Sequence, residues 1–292
     1  MNAESGAMSA RTCMITGASS GIGRATALAL ARQEATLILV CRDRGRGEAT
    51  IAEIRQQTGN RDVTLMLADL SSQQSIRQLA QDFLATDRPL HVLVNNAGIV
   101  NLQRKLTVDG LEEVFAVNHL AYFLLTHLLL DRLRASAPAR IVNVASTAHR
   151  FGGIDFDNLQ GERRYRTMNI YGQSKLENIM FTYELARRLA GSGVTVNCLH
   201  PGGVATGLGS NNGAWAQRIV KVIGNFMRTP ASGAATSIYL ASSPQVEGVS
   251  GKYFVNSKPR RSSRISYDEA AQRRLWQLSE QLTTIRMVNA ES

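Results

Sequence analysis

The sequence of 292 residues has little cysteine, few aromatic residues and no long apolar run. Its three cysteines lie inside apolar, strand-like segments, which favours reduced thiols in an intracellular protein over a disulfide framework or a metal site. The longest apolar stretch spans residues 119–130, whereas a membrane-spanning helix needs about 20 apolar residues. Residues 1–11 also lack the apolar segment of a secretory signal. We therefore expect a cytoplasmic protein without a transmembrane segment and without a bound metal.

The sequence has fewer acidic than basic residues. It contains 23 Asp and Glu and 33 Lys and Arg, which gives a formal net charge of +10. Residues 252–274 carry seven of the basic side chains and only two acidic ones. Basic patches attract polyanions, but no nucleic-acid-binding motif accompanies this one. We expect a solvated basic surface and no nucleic-acid partner, with peripheral contact to an anionic membrane as the alternative.

Short apolar runs typical of strands alternate along the chain with segments of helical periodicity. The expected strands are 12–16, 36–41, 63–68, 90–94, 140–145, 194–199 and 252–255. The expected helices are 21–33, 46–58, 71–85, 108–134, 170–190 and 231–242, with a terminal helix at 266–283. Nearly unbroken apolar strands that alternate with helices are typical of a parallel sheet covered on both faces. The pattern predicts an α/β protein with a doubly wound, Rossmann-type, mostly parallel seven-stranded sheet in a single domain.

We expect this domain to span residues 11–256, after a disordered segment 1–10 and before a basic C-terminal extension 257–292. Residues 203–229 interrupt the alternation, because they begin glycine-rich and then become amphipathic. Insertions at the carboxyl ends of parallel strands tend to shape ligand sites, so we interpret this segment as a substrate loop. Its apolar stripe around Trp215 predicts either a lid over the substrate or ordinary core packing.

A glycine-rich turn, TGASSGIG at residues 16–23, joins the first expected strand to the first expected helix. Glycine allows a tight turn and a close backbone approach to a pyrophosphate, and the helix N-terminus offers free N–H groups to phosphate. In this context a nucleotide site is preferred over a simple turn. The residues expected to contact the nucleotide here are Gly17, Ser19, Ser20, Gly21, Ile22 and Gly23.

Three more segments follow expected strands at the same edge of the sheet. They are Asp69-Leu70, the tetrapeptide NNAG at 95–98, and HPGG at 200–203. Each alone is compatible with ordinary turn chemistry, but their recurrence on one edge favours a single elongated ligand lying across it. The further cofactor contacts expected there are Asp69, Leu70, Asn96, Ala97, Gly98, Pro201, Gly202, Val204 and Thr206.

The helix expected at 170–190 begins with YGQSK, in which Tyr171 and Lys175 share one helical face. The pKa of a free tyrosine is about 10, and a nearby cation lowers it toward neutrality. An ordinary surface pair is the alternative. Ser146 ends the preceding strand at the ligand edge, where its hydroxyl can hydrogen-bond a substrate carbonyl while Tyr171 donates a proton.

The sequence resembles the short-chain dehydrogenase/reductase family over roughly residues 10–256. The resemblance rests on TGASSGIG, Asp69, NNAG, Asn118, Ser146, the pair Tyr171 and Lys175, and Pro201-Gly202. It implies that Ser146 positions the carbonyl or alcohol and that Tyr171 is the general acid/base. It also implies that Tyr171 and Lys175 contact the cofactor, that Lys175 binds the nicotinamide ribose and lowers the pKa of Tyr171, and that Asn118 supports a proton-relay water.

Within that family the segments NVASTAH and VNCLHPGGVAT look most like the retinol-dehydrogenase-like branch. This resemblance implies hydride transfer between NADP(H) and an apolar carbonyl or alcohol, such as a retinoid, a steroid or a lipid aldehyde. Two alternatives stay open, namely reduction of a carbon–carbon double bond and a non-catalytic NADP-binding sensor or scaffold. Homo-oligomers are common in the family, and here Tyr122, Phe123 and Phe181 either contribute to such an interface or face the sheet.

The end of the second expected strand bears on the choice between NAD and NADP. NAD-preferring relatives carry an acidic residue near position 41, but this chain has Cys41 followed by Arg42. An arginine can pair with a 2′-phosphate through its permanently charged, planar fork, so we predict NADP. Asp43 facing the ribose, with Arg42 turned to solvent, is the alternative, and Arg44 and Arg46 are expected to face solvent.

Overall fold

The computed structural model describes residues 6–202 and 229–284. Its strands are β1 (Thr12–Thr16), β2 (Thr36–Cys41), β3 (Val63–Leu67), β4 (Val92–Asn95), β5 (Ala139–Val144), β6 (Val194–His200), β7 (Lys252–Val255) and β8 (Lys258–Arg260). They form one sheet in the order β3-β2-β1-β4-β5-β6-β7-β8, in which every pairing is parallel except that of β7 with β8. This is the doubly wound arrangement expected from the sequence, and the order reverses beside β1, where such sheets bind ligands.

The helices lie on both faces of this sheet. They are α1 (Gly21–Ala31), α2 (Arg44–Thr58), α3 (Gln73–Leu84), α4 (Glu113–Phe115), α5 (Ala121–Leu128), α6 (Leu130–Ala135), α7 (Thr167–Arg188), α8 (Pro230–Ser242) and α9 (Glu269–Thr283). Short 3₁₀ turns cover Thr147–Arg150, Pro244–Val246 and Arg264–Tyr267, and Ala116–Leu120 is π-helical. Among the described residues, no helix combines the length and the apolar character needed to span a membrane.

Alternate residues of each central strand pack into two different cores. In β1, Met14 packs with residues of α3, α5 and α7, whereas Cys13 and Ile15 pack with residues of α1, α2 and α8. Successive side chains of a strand point to opposite faces, so a strand covered by helices on both sides must be apolar throughout. This explains why β1 is fully buried.

The structure corrects the expected strand count, because β8 makes the sheet eight-stranded. β8 pairs antiparallel with β7 after a two-residue turn, Asn256 and Ser257, both of which have positive φ angles of 51° and 57°. Such turns match the twist of a hairpin. The strand Lys258–Arg260 is exposed and contains Pro259, so it lacks the apolar signature of a strand, and its position at the edge tolerates proline.

The segment expected to be one helix over 108–134 is divided instead. Helix begins only at Glu113, passes through the π-helical turn Ala116–Leu120, and is interrupted again at Leu129 between α5 and α6. A π-helical turn inserts one residue into the helical repeat, and apolar periodicity alone does not reveal such an insertion. At the N-terminus, residues 1–5 lie outside the described residues, whereas residues 6–10, expected to be disordered, form turns that bury Met8.

The C-terminal extension packs onto α5 and α7 through α9. Trp276 is 2% exposed, and its ring lies 5.1 Å from Phe123 and 5.9 Å from Phe181, measured between centroids. Tyr122 turns the other way and donates a hydrogen bond of 2.7 Å to the carbonyl oxygen of Ala97. Tyr122, Phe123 and Phe181 are thus buried inside the chain, and the last helix covers Phe123 and Phe181.

Candidate active site

In the glycine loop after β1, the backbone at Gly17 lies very close to the backbone of α1 at Gly23. Gly17 has a φ of +67°, a conformation that side chains disfavour. A Cβ atom on Gly23 would lie 2.4 Å from the carbonyl oxygen of Gly17, so only glycine fits where α1 crosses the loop. The Ser20 side chain does not cap α1, which leaves the N–H groups of the first helical turn available to an anionic ligand.

Thr16 fastens the loop after β4 to the loop after β1. Its Oγ1 accepts the N–H groups of Asn96 at 2.9 Å and Ala97 at 3.1 Å, while Asn96 Nδ2 donates to the Thr16 carbonyl oxygen at 2.7 Å. Thr16 is 1% exposed. Thr16 was not among the residues expected to contact the nucleotide, and the available signal was a hydroxyl side chain at the end of the first expected strand.

A cleft of about 570 Å³ follows the carboxyl edge of the sheet. The predicted residues that line it are Gly17, Ser19, Ser20, Gly21, Ile22, Arg42, Asp69, Leu70, Asn96, Ala97, Gly98, Ser146, Tyr171, Lys175, Pro201 and Gly202. Gly23 and Asn118 lie behind this surface, because Gly23 packs on Gly17 and Asn118 is fully buried. Val204, Thr206 and the apolar stripe around Trp215 lie outside the described residues.

One end of the cleft is basic. Arg42 and Arg46 both line it and are exposed; Arg46 was expected to face solvent and was not expected to contribute to the site. Helix α2 begins at Arg44, earlier than expected, and Asp43 caps it by accepting the Arg46 N–H at 2.7 Å. The carboxylate expected as a rival ribose ligand is therefore engaged by the helix N-terminus, and within the described parts of the chain neither Arg42 nor Arg46 forms a salt bridge.

Lys175 is held beneath the cleft by α7. Its Nζ donates to the carbonyl oxygen of Val144 at 3.3 Å and lies 5.6 Å from the ring centroid of Tyr171 and 5.7 Å from that of Tyr122. Burial lowers the pKa of Lys175 to about 7, because a desolvated ammonium is disfavoured. Among the described residues the ammonium thus has the Val144 carbonyl oxygen as its hydrogen-bond acceptor, and the side chain also lines the cleft.

Tyr171 lies one helical turn before Lys175 and is half-buried at the cleft. Burial raises its pKa to about 12, and a hydrogen bond to the Ser146 side chain opposes that shift. We expected Lys175 to lower this pKa, but in the structure burial is the dominant influence and raises it. At neutral pH Tyr171 is therefore protonated and can donate a proton.

Ser146 follows β5 and begins the 3₁₀ turn Thr147–Arg150. Its Oγ accepts the Ala148 N–H at 3.2 Å, which orients the hydroxyl at the start of the turn. The Ser146 carbonyl oxygen lies 2.6 Å from His149 Nδ1. His149 was not singled out from the sequence, and no local pattern marks it, because its second partner is far away along the chain.

Asn118 lies in the π-helical turn and holds two elements together through its side chain. Its Oδ1 accepts the Ile99 N–H at 2.8 Å, and its Nδ2 donates to the Ile99 carbonyl oxygen and to Ser174 Oγ, each at 3.0 Å. These bonds tie the chain after Gly98 to α7. The role expected from the family resemblance, support of a relay water, stays a prediction.

Comparison with known proteins decides the family. Residues 11–217 match the sequence pattern of the family described as short chain dehydrogenase. The chain belongs to this family. Human retinol dehydrogenase 14 is 45% identical to it, over 94% of this chain and 87% of the relative, and human retinol dehydrogenase 11 is 45% identical over 92% and 84%.

Solved structures give the same result for this short-chain dehydrogenase. A Mycobacterium paratuberculosis protein of uncharacterized function is 35% identical, with a TM-score of 0.77 and 95% of each chain covered. A complex of Pseudomonas aeruginosa RhlG with NADP is 26% identical, with a TM-score of 0.68, and covers 86% of this chain and 97% of that one. The chain is thus an oxidoreductase of the family, related to retinol dehydrogenases.

Proposed function

We propose that this oxidoreductase transfers hydride between NADP(H) and the carbonyl or alcohol carbon of an apolar substrate. The proposal rests on one observation. Ser146, Tyr171 and Lys175 line the same cleft as the glycine loop. Bound in that cleft, the nicotinamide would supply or accept the hydride. The protein's own part is to orient the reactants and to manage the proton.

The residues of the cleft suit a nicotinamide dinucleotide. The uncapped N-terminus of α1 offers N–H groups to the pyrophosphate, and Asp69 offers a carboxylate at the sheet edge beyond β3. Lys175 would reach ribose hydroxyls, since it is buried under the cleft and its only described backbone partner is Val144.

In the reductive direction the chain moves one proton. The Ser146 hydroxyl and the Tyr171 phenol line the same cleft and interact with each other, so both can reach one substrate oxygen. The phenol, protonated at neutral pH, gives its proton to that oxygen while the carbonyl carbon gains a hydride, and an alcohol results. Both hydrogen bonds strengthen as negative charge develops on the oxygen, so they stabilise the transition state more than the ground state.

Part of the cleft lining is apolar. Ile99, Val117, Phe151 and Met168 line it, and Phe151 and Met168 are 73% and 57% exposed. Large exposed apolar side chains at a cleft favour an apolar ligand that covers them. The relatives named retinol dehydrogenases agree with such a substrate, and a retinoid, a steroid and a lipid aldehyde are the classes to be compared.

The function is tested by assaying a panel of aldehydes, ketones and quinones with NADPH and NADH in parallel. We expect apolar carbonyls to be reduced, and we expect Tyr171→Phe to lower kcat by about 10²-fold or more, because general acid catalysis contributes 10²–10⁴-fold. NADPH binding by this variant, measured by fluorescence titration, should stay within about threefold of wild type. Turnover that survives the substitution would refute the assigned mechanism.

The cofactor preference is tested at the basic end of the cleft. Arg42→Ala should weaken NADPH binding about tenfold or more and leave NADH binding nearly unchanged, since a hydrogen bond between charged groups is worth about 1.5–3 kcal/mol. Arg44→Ala is the matched control, because Arg44 is exposed, pairs with Glu48 and does not line the cleft. Unchanged NADPH affinity in Arg42→Ala would remove this residue from the 2′-phosphate site.

A further inference from the structure

His149 connects the catalytic serine to the C-terminal extension. Its Nδ1 lies 2.6 Å from the Ser146 carbonyl oxygen, and its Nε2 lies 3.0 Å from the backbone nitrogen of Ser263. The imidazole is fully buried and meets the Tyr253 ring edge-on at 5.1 Å between centroids. It does not line the cleft, so its influence on the reaction must pass through Ser146.

The two partners determine which nitrogen carries the proton. A backbone N–H can only donate, so Nε2 accepts from Ser263 and must be unprotonated. A neutral imidazole then carries its proton on Nδ1, which donates to the Ser146 carbonyl oxygen. Burial lowers the pKa of His149, which favours this neutral form. Both ring nitrogens are therefore used, and rotation of the ring would break both bonds.

The segment that holds His149 is itself fastened to α7. Tyr183 Oη and Ser262 Oγ are 2.8 Å apart, and the Tyr183 ring stacks on Tyr267 at 5.2 Å between centroids. Arg150 adds a second link, since its guanidinium donates to the Arg261 carbonyl oxygen at 2.8 Å. Residues 261–263 thus form a bridge between the turn after Ser146 and the helix that carries Tyr171.

We propose that His149 is a positioning residue, and that through it residues 261–263 of the C-terminal extension set where the Ser146 hydroxyl stands relative to Tyr171. The proposal rests on the proposed function, in which these two hydroxyls act on the same oxygen. A displacement of about 1 Å in a catalytic group can cost about 10²-fold in rate. A link that holds the serine backbone should consequently affect kcat more than cofactor binding.

The Ser263 donor can be removed almost alone. Ser263 has a φ of −66°, which suits proline, and its side-chain hydroxyl has no hydrogen-bond partner among the described residues. Ser263→Pro deletes the N–H that His149 accepts, and we expect kcat to fall 10- to 100-fold with the NADPH Kd within about threefold of wild type. Ser263→Ala is the matched control, since it keeps the N–H and should keep kcat.

Two substitutions of His149 test the other bond. His149→Phe keeps a ring in the pocket but loses both hydrogen bonds, and we expect a kcat loss like that of Ser263→Pro. His149→Asn retains a short N–H donor toward the Ser146 carbonyl oxygen and should recover part of kcat, although the asparagine side chain fills the imidazole pocket less well than phenylalanine does. If His149 only fills space, His149→Phe should have the higher kcat of the two variants. That result would overturn the proposal. This pair decides the matter if Ser263→Pro fails to fold.

One measurement does not depend on turnover. In protein labelled with [¹⁵N]histidine, long-range ¹H–¹⁵N correlation spectra report which imidazole nitrogen is protonated, and His149→Asn identifies the signal. We expect His149 protonated on Nδ1 in the wild type and in Ser263→Ala. A ring protonated on Nε2 would overturn the proposal. An enzyme inactive on every carbonyl of the panel but with this tautomer would overturn only the proposed function.

Discussion

Glu177 lies on α7 with its carboxyl group buried, and replacing it with glutamine should stabilise the protein at neutral pH. Its Oε1 accepts Gln173 Nε2 at 3.1 Å, while its Oε2 has no hydrogen-bond partner within the described residues. Burial raises the pKa of Glu177 from 4.5 to about 8, and the nearby Glu112 carboxylate adds to the shift. The glutamate is therefore protonated when the protein is folded at pH 7 and ionised when it is unfolded.

The sign and size of the effect follow from linkage between proton binding and folding. Between pH 4.5 and about 8 the folded state holds a proton that the unfolded state has released, so this group lowers the free energy of unfolding as the pH rises through that window. Each pH unit costs about 1.4 kcal/mol, which amounts to about 3 kcal/mol at pH 7 and less than about 1 kcal/mol at pH 5. Glu177→Gln removes this cost and keeps the acceptor for Gln173.

Urea unfolding followed by circular dichroism at pH 5 and pH 7 checks the prediction. We expect Glu177→Gln to unfold at a higher urea concentration than wild type at pH 7 and at nearly the same concentration at pH 5. Glu184→Gln, on the same helix, is the matched control; its carboxylate pairs with Arg187 and Arg188, so its loss should bring no gain. Equal destabilisation by Glu177→Gln at both pH values would refute the reasoning.

Two further changes test the packing around the site. Thr16→Val removes the oxygen that accepts the N–H groups of Asn96 and Ala97. It should therefore lower the free energy of unfolding by about 1–3 kcal/mol and weaken NADPH binding. An unchanged urea midpoint would contradict that role. Trp276→Ala should lower the free energy of unfolding by about 3–5 kcal/mol in the same assay. The ring packs against Phe123 and Phe181, and the Arg188 guanidinium lies over it at 4.1 Å from its centroid. A loss below about 1 kcal/mol would show that α9 is only loosely attached.

The C-terminal extension also contacts two buried histidines that lie close to active-site residues in the sequence. Ser279 Oγ on α9 lies 3.0 Å from Nε2 of His119, the residue after Asn118, and the Ser263 N–H reaches His149 near Ser146. The basic side chains of the extension play no part in these two contacts. They use one serine hydroxyl, one backbone amide and two buried imidazoles. Burial favours the neutral imidazoles, because it lowers the pKa of His119 to about 3 and also lowers that of His149.

Local sequence signals were sufficient for most of the fold and for the outline of the site. Strands β1, β2 and β7 have the bounds expected from the sequence, and for the central strands β1 and β2 the signal is clear because a strand covered on both faces is largely apolar. Gly17 and Gly23 are required by backbone geometry within one turn, so a short motif suffices to find them. Tyr171 and Lys175 are one helical turn apart in any α-helix, whatever surrounds them.

Only the tertiary structure decided what depends on residues far apart in the chain. The sequence contains His149 and Ser263, but their hydrogen bond spans 114 positions and leaves no local pattern. The direction of the pKa shift of Tyr171 depends on burial, which is set by all the elements packed around the cleft rather than by the lysine four residues on. Periodicity and motifs record the geometry of neighbouring residues, whereas desolvation and long-range hydrogen bonds exist only after the chain has packed.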